Sequence, residues 1–194
     1  MNAEQLTALG TILNAIVIGA TAVAALVQLR HLRASNQLDA LLSLERDFRS
    51  AEMQAALRYV QDTLPEQLRN PEYRAQLARI GFIDARVHPE VTVCNWFDEM
   101  GTLMKHHLVT EATFMDLFGR LIRYYWGALE TVVAIMRRSR GDSQYHDFEY
   151  LAIRAHTWLQ HHPRGLFPRN LARLVPNDPW LDADGLRRES SEAS

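Results

Sequence analysis

Hydrophobic residues cluster first in one unbroken block. Residues 6–29 read LTALGTILNAIVIGATAVAALVQL and contain no charged side chain. As a helix, these 24 residues rise about 36 Å, against about 30 Å of bilayer hydrocarbon. The block therefore predicts a tilted transmembrane helix. A short leader, residues 1–5, precedes it and carries only Glu4 and the terminal amine. Arg30, His31 and Arg33 follow it. This asymmetry makes Arg30 and Arg33 the topology-setting residues. It places the N-terminus outside and the rest of the chain in the cytoplasm, at the inner membrane. The segment Ala22-Val23-Ala24 resembles a signal-peptide cleavage site. Yet no Lys or Arg precedes the block, and it is too long for a signal core, so an anchor is expected. Thr7, Thr11, Ala15 and Gly19 recur every four residues. Such a small-residue stripe permits close approach of a second membrane helix, although these residue types are also common in membrane helices generally.

Beyond the anchor the apolar positions keep a helical period from Leu38 to Leu159. Leu38, Leu41, Leu44 and Phe48 share a face, continuing the first helix with a break expected near Ser35-Asn36. Ser50 suits a helix cap before the stripe Met53, Ala56, Leu57, Val60 and Leu64, which Pro65 is expected to end. Asn70-Pro71-Glu72 opens another helix, with Tyr73, Leu77 and Ile80 on its buried side and Gly81 as its stop. A central helix is predicted from Pro89 to about His107, because its apolar arc spans more than half the wheel. Thr110 precedes a long stripe through Phe114, Leu117, Phe118, Leu121, Tyr125, Leu129, Val132 and Met136, with Gly141 as terminator. A last helix over 143–160 buries Tyr145, Phe148, Leu151, Ala152, Ala155 and Leu159. The expectation is an all-α protein: a single transmembrane helix, a cytoplasmic helical bundle over 30–162, and a loosely ordered tail over 163–194.

Composition narrows the function classes. The balance of 21 basic and 23 acidic residues argues against nucleic acid as a partner. A single cysteine, Cys94, excludes an intrachain disulfide framework. Lys105 is the sole lysine among the 21 basic residues, a bias without functional weight.

Several stretches carry a resemblance. Residues Asn95-Trp96-Phe97-Asp98-Glu99-Met100-Gly101-Thr102-Leu103 form one, and Leu108-Val109-Thr110-Glu111 another. Phe114-Met115-Asp116-Leu117-Phe118-Gly119, Ile122-Arg123-Tyr124-Tyr125-Trp126 and Asp147-Phe148-Glu149-Tyr150-Leu151-Ala152 follow, after an apolar helix ending in Gln28-Leu29-Arg30. In this order, over residues 10–155, they resemble the bacterial family known as domain of unknown function 4760. The resemblance implies a membrane helix and an all-helical domain. It implies no activity, cofactor or catalytic residue.

Candidate chemistry is sparse. His106-His107 and His161-His162 are adjacent pairs, whose rings diverge by about 100° on a helix and chelate poorly. A metal site would need both pairs gathered with Asp98, Glu99 or Glu111. No Glu-x-x-His and no His-Glu-x-x-His occurs. Cys94 lies on an apolar face, where a thiol is inert. Asp98-Glu99 reads as a solvated acidic pair, and Trp126 as a ring covering a neighbouring helix. No catalytic, cofactor or metal residue is assigned. The reading is a non-enzymatic interaction or regulatory module. It is held to the lipid bilayer through residues 6–29, with an unidentified protein or a second copy as partner. The alternative is a membrane-bound enzyme with an unrecognised His/carboxylate metal site.

Overall fold

The computed structural model describes the backbone of residues 3–168 and 170–180; in the first helix it describes the side chains of residues 14–32, 39 and 41–48. Seven helices follow in order: α1 (Ala3–Phe48), α2 (Ala51–Asp62), α3 (Leu64–Gln67), α4 (Pro71–Leu77), α5 (Pro89–Lys105), α6 (Glu111–Arg140) and α7 (His146–His161). Among the described residues there is no strand. The chain divides into two compact units, residues 1–163 and 164–194. In the second, the Arg173 guanidinium lies 4.7 Å from the Phe167 ring centroid and donates to the carbonyl of Arg164.

The first helix runs on without a break. The interruption expected near Ser35-Asn36 does not occur, and α1 continues to Phe48 for about 69 Å. Ser35 and Asn36 are poor helix formers, but two of them in 46 residues cost little beside the packing at the helix's end. Asn14–Leu32 is long and apolar enough to cross a membrane, and none of it is buried. Leu44 enters the protein core, while Phe48 packs on Trp96 of α5 at 5.0 Å and on Phe118 of α6 at 5.7 Å. The Gln54 amide also donates to the Phe48 carbonyl at 2.8 Å. The apolar span is thus joined to the bundle by helix rather than by linker.

Local signals build the rest. Ser50 Oγ accepts from Met53 N–H, capping α2. Asn70 Oδ1 accepts from Glu72 N–H, capping α4. α2 ends at Asp62, and Pro65 stands in the first turn of α3, where its missing N–H is harmless. Gly141, with φ of 82°, closes α6. α5 touches α2, α6 and α7, so its central position follows from its wide apolar arc. Phe97, Met100, Phe114, Ile122, Leu129 and Phe148 are fully buried around it.

Three further expectations fail. α4 stops at Leu77 instead of Gly81, leaving Ile80 80% exposed. The cause is Arg140, whose guanidinium reaches across from α6 to take the carbonyls of Leu77 and Arg79. Leu117 is also exposed, because α6 buries Phe114, Met115, Phe118, Gly119 and Ile122, and Leu117 falls past the edge of that face. Tyr145 stands before α7 in left-handed backbone, so the helix begins at His146.

Candidate functional site

The most ordered polar arrangement lies where α5 crosses the start of α7. Asp98 Oδ1 accepts from the backbone N–H groups of Asp147 (3.0 Å) and Phe148 (2.9 Å). α7 has no side-chain cap of its own, so a residue of another helix supplies it. Thr102 Oγ1 donates to Asp147 Oδ2 at 2.8 Å, and Lys105 pairs with Asp147 Oδ1. Asn95 Oδ1 accepts from the Tyr145 hydroxyl at 2.9 Å. Between them, Gly101 lets the two backbones meet: a Cβ there would stand 2.0 Å from Asp147 O. Burial alone raises the Asp147 carboxyl. Hydrogen bonds from Lys105 and Thr102, and the nearby charges of His146 and Lys105, outweigh it and hold the group below its ordinary value. Asp98 is therefore a structural cap, while Glu99 beside it is exposed. The expected pair of solvated acids is half wrong, and the sequence offers no local sign of it.

A second polar cluster surrounds the start of α5. Glu90 is fully buried. Its Oε1 accepts from the Tyr73 hydroxyl at 2.5 Å and meets His88 Nδ1 at 3.0 Å. His88 Nε2 meets Gln76 Oε1 at 3.1 Å. Tyr59 and Tyr73 share a hydrogen bond of 3.0 Å; since Tyr73 gives its proton to Glu90, Tyr59 is the donor to Tyr73. Burial, then the bond to Glu90, pushes the Tyr73 hydroxyl far above its usual range. Glu90 Oε2 has no hydrogen-bond partner among the described residues. Sequence reading missed this cluster, because an acid after Pro89 looks like an ordinary first-turn residue. Only the packing of α2 and α4 over it makes it buried.

The third place is an open groove along α6 and α7. Two adjoining hollows of about 430 and 530 Å³ share Arg123. Trp126 forms one wall. Its ring packs edge-on against Phe148 at 5.0 Å, covering the neighbouring helix as expected, and its remaining surface faces the groove.

The family described as Domain of unknown function (DUF4760) matches residues 15–155. The chain belongs to this family. No curated protein and no solved structure matches it. Within the DUF4760 region the stretches quoted above acquire partners. The Asn95–Leu103 stretch is one half of the α5–α7 crossing and Asp147–Ala152 is the other. Of Ile122–Trp126, Ile122 and Tyr125 are buried, and Arg123, Tyr124 and Trp126 line the groove.

The remaining candidates of the DUF4760 chain stay apart. Among the described residues, no group of three or more His, Cys, Asp or Glu side chains is placed to hold a metal ion. His161 and His162 turn Nδ1 to the carbonyls of Thr157 and Trp158, closing the end of α7. His106 and His107 are exposed beyond α5. Glu111 is held by Arg154 through both oxygens. Cys94 is fully buried, and burial followed by the charges of Glu90 and Asp98 pushes its thiol up. In the N-terminal stripe Ala15 and Gly19 are exposed, as is Arg30; Thr7, Thr11 and Arg33 lie outside the described residues.

Proposed function

We propose that this chain is a membrane-tethered helical module that acts by binding another protein, without catalysing a reaction. The unbroken α1 is the observation that carries the reading. A flexible tether only raises local concentration, whereas a continuous helix also holds the bundle at a set height and orientation. α1 leaves the apolar span at Leu32 and enters the core at Leu44, 12 residues or about 18 Å later. The carboxylates of the bundle that have partners support the same reading. Asp98 and Asp147 join helices, and Glu111 is held in an ion pair. On this reading the bundle belongs on the cytoplasmic face of the inner membrane, because Arg30, His31 and Arg33 follow the span.

Native mass spectrometry tests the reading on the full chain, released gently from its own membrane through a C-terminal tag. A reproducible protein-sized increment above 22.3 kDa is the expected result. Multiples of 22.3 kDa alone would replace it with a self-contained homo-oligomer. A metal-sized or cofactor-sized increment would put an enzyme in its place.

A further inference from the structure

The open groove between α6 and α7 has the chemistry of a docking face. Its two hollows meet at Arg123 and run beside α7 from Glu149 to the helix end, about 18 Å, reaching Pro163 just beyond it. That length matches a partner helix of about 12 residues. Tyr124 and Ile153 are each more than half exposed on it, and Trp126 forms a wall. Arg, Tyr and Trp together are the residue types that dominate binding energy at protein interfaces.

Charge selects the occupant. Arg123 has no hydrogen-bond or ion-pair partner among the described residues. Arg120 donates to the Pro163 carbonyl at 3.5 Å, a long and weak bond. Glu149, the one acid among the described lining residues, is already neutralised by Arg137 at 2.7 Å. The groove therefore presents two arginines beside an apolar floor, and no acid among its described lining residues answers them.

A glycine adds an independent observation. Gly127 stands inside α6, where glycine weakens a helix relative to alanine. Gly101 answers a close contact within the chain, and Gly119 has ordinary neighbours at 3.9 Å. A Cβ on Gly127 would meet nothing within 4 Å, and Gly127 lines the groove. The chain's own packing gives no reason for it, whereas close approach of a second helix does.

We infer that the α6–α7 groove binds an acidic amphipathic helix of a partner protein. The partner's apolar side lies over Trp126, Gly127 and Ile153, and its carboxylates face Arg120 and Arg123. The inference rests on the interaction-module reading and names its face and its partner's chemistry.

The test places a photo-crosslinking phenylalanine analogue at Tyr124, at Ile153 or, for comparison, at Phe82, which is 94% exposed on the α4–α5 loop. The full chain is irradiated in its own membrane, and adducts are mapped by peptide mass spectrometry. Adducts from Tyr124 and Ile153 are expected on one acidic amphipathic helical segment of another protein. Gly127→Leu and Arg123→Glu should each lower their yield about tenfold. Gly127→Ala, which adds only the Cβ that close approach excludes, should lower it in the same direction by a smaller factor. Adducts confined to this chain or to lipid, adducts on a segment without acids, or yields unmoved by Arg123→Glu would overturn the inference. Partner adducts from Phe82 alone would overturn it too while leaving the interaction module standing. No partner adduct from any position would remove both. A folded helical signal from each variant by circular dichroism separates lost docking from lost structure.

Discussion

α7 has two seams, and they differ in what they leave unused. Against α5 the seam is closed. Asp98 takes two N–H groups of α7, Thr102 and Lys105 take both oxygens of Asp147, and Gly101 brings the backbones together. Against α6 the inner side is packed, but the outer side leaves Arg123 without a partner among the described residues and Gly127 facing open space. Both seams carry stretches that the sequence marks as distinctive. One set of residues is spent on holding helices together, and the other remains available. A glycine in a helix thus means opposite things at 101 and at 127, and substitution tells them apart.

The largest effect is expected at Gly101. Gly101→Ala places a methyl group 2.0 Å from a backbone oxygen, which no side-chain rotation relieves. Parting α5 from α7 should cost about 3 kcal/mol. Urea denaturation of the full chain in detergent, followed by circular dichroism, measures it. A loss under about 1 kcal/mol would mean that the crossing is not as tight as drawn.

Asp98 comes next. Asp98→Ala leaves two N–H groups of α7 without their acceptor, in a half-buried position. The expected loss is about 2 kcal/mol, with Asp98→Asn losing about half as much, because its carbonyl still accepts. Equal losses for the two variants would show that charge, and not the cap, is what matters there.

How much of this was legible depends on distance along the chain. Ser50 and Asn70 cap helices that begin beside them, so their roles read directly from sequence. Asp98 caps a helix 49 residues away, and its neighbours Asn95 and Glu99 are both exposed, so it looked like one more surface acid. The early end of α4 depends on Arg140, 63 residues beyond Leu77. Glu90 is hidden by two helices that precede it in sequence. Helices, caps and the apolar span follow local rules, whereas the polar contacts between helices require the fold. The groove was visible only in fragments: Trp126 read as a ring covering a neighbouring helix, but the surroundings of Arg123 are a three-dimensional fact.

The closed seam also has a pH signature. The Asp147 carboxyl sits below its ordinary value of 3.8 when folded. A group depressed in this way adds stability that is fully present above its unfolded value. That stability fades as pH falls from about 4 through the lowered folded value. Asp147→Asn should therefore lower stability at pH 7 and flatten its decline below pH 4. Parallel stability curves for the two proteins across that range would show that the Lys105 and Thr102 bonds do not depend on the carboxylate's charge.

The smallest effect has the opposite sign, and it bears most directly on the contrast between the seams. Gly127→Ala removes the entropic penalty of a helix-interior glycine, and its methyl group meets nothing within 4 Å. The chain should gain about 0.5–1 kcal/mol, raising Tm by roughly 2–4 °C. The same change at Gly101 destabilises, so one substitution type read at two positions gives both signs. If Gly127→Ala also destabilises, the α6–α7 seam is closed by contacts of its own, and the glycine needs no partner to account for it. If it stabilises, the isolated chain keeps a residue that weakens its own fold at a surface lined by Arg123 and Trp126. A stabilising result thus makes the glycine useful only when something else approaches that surface.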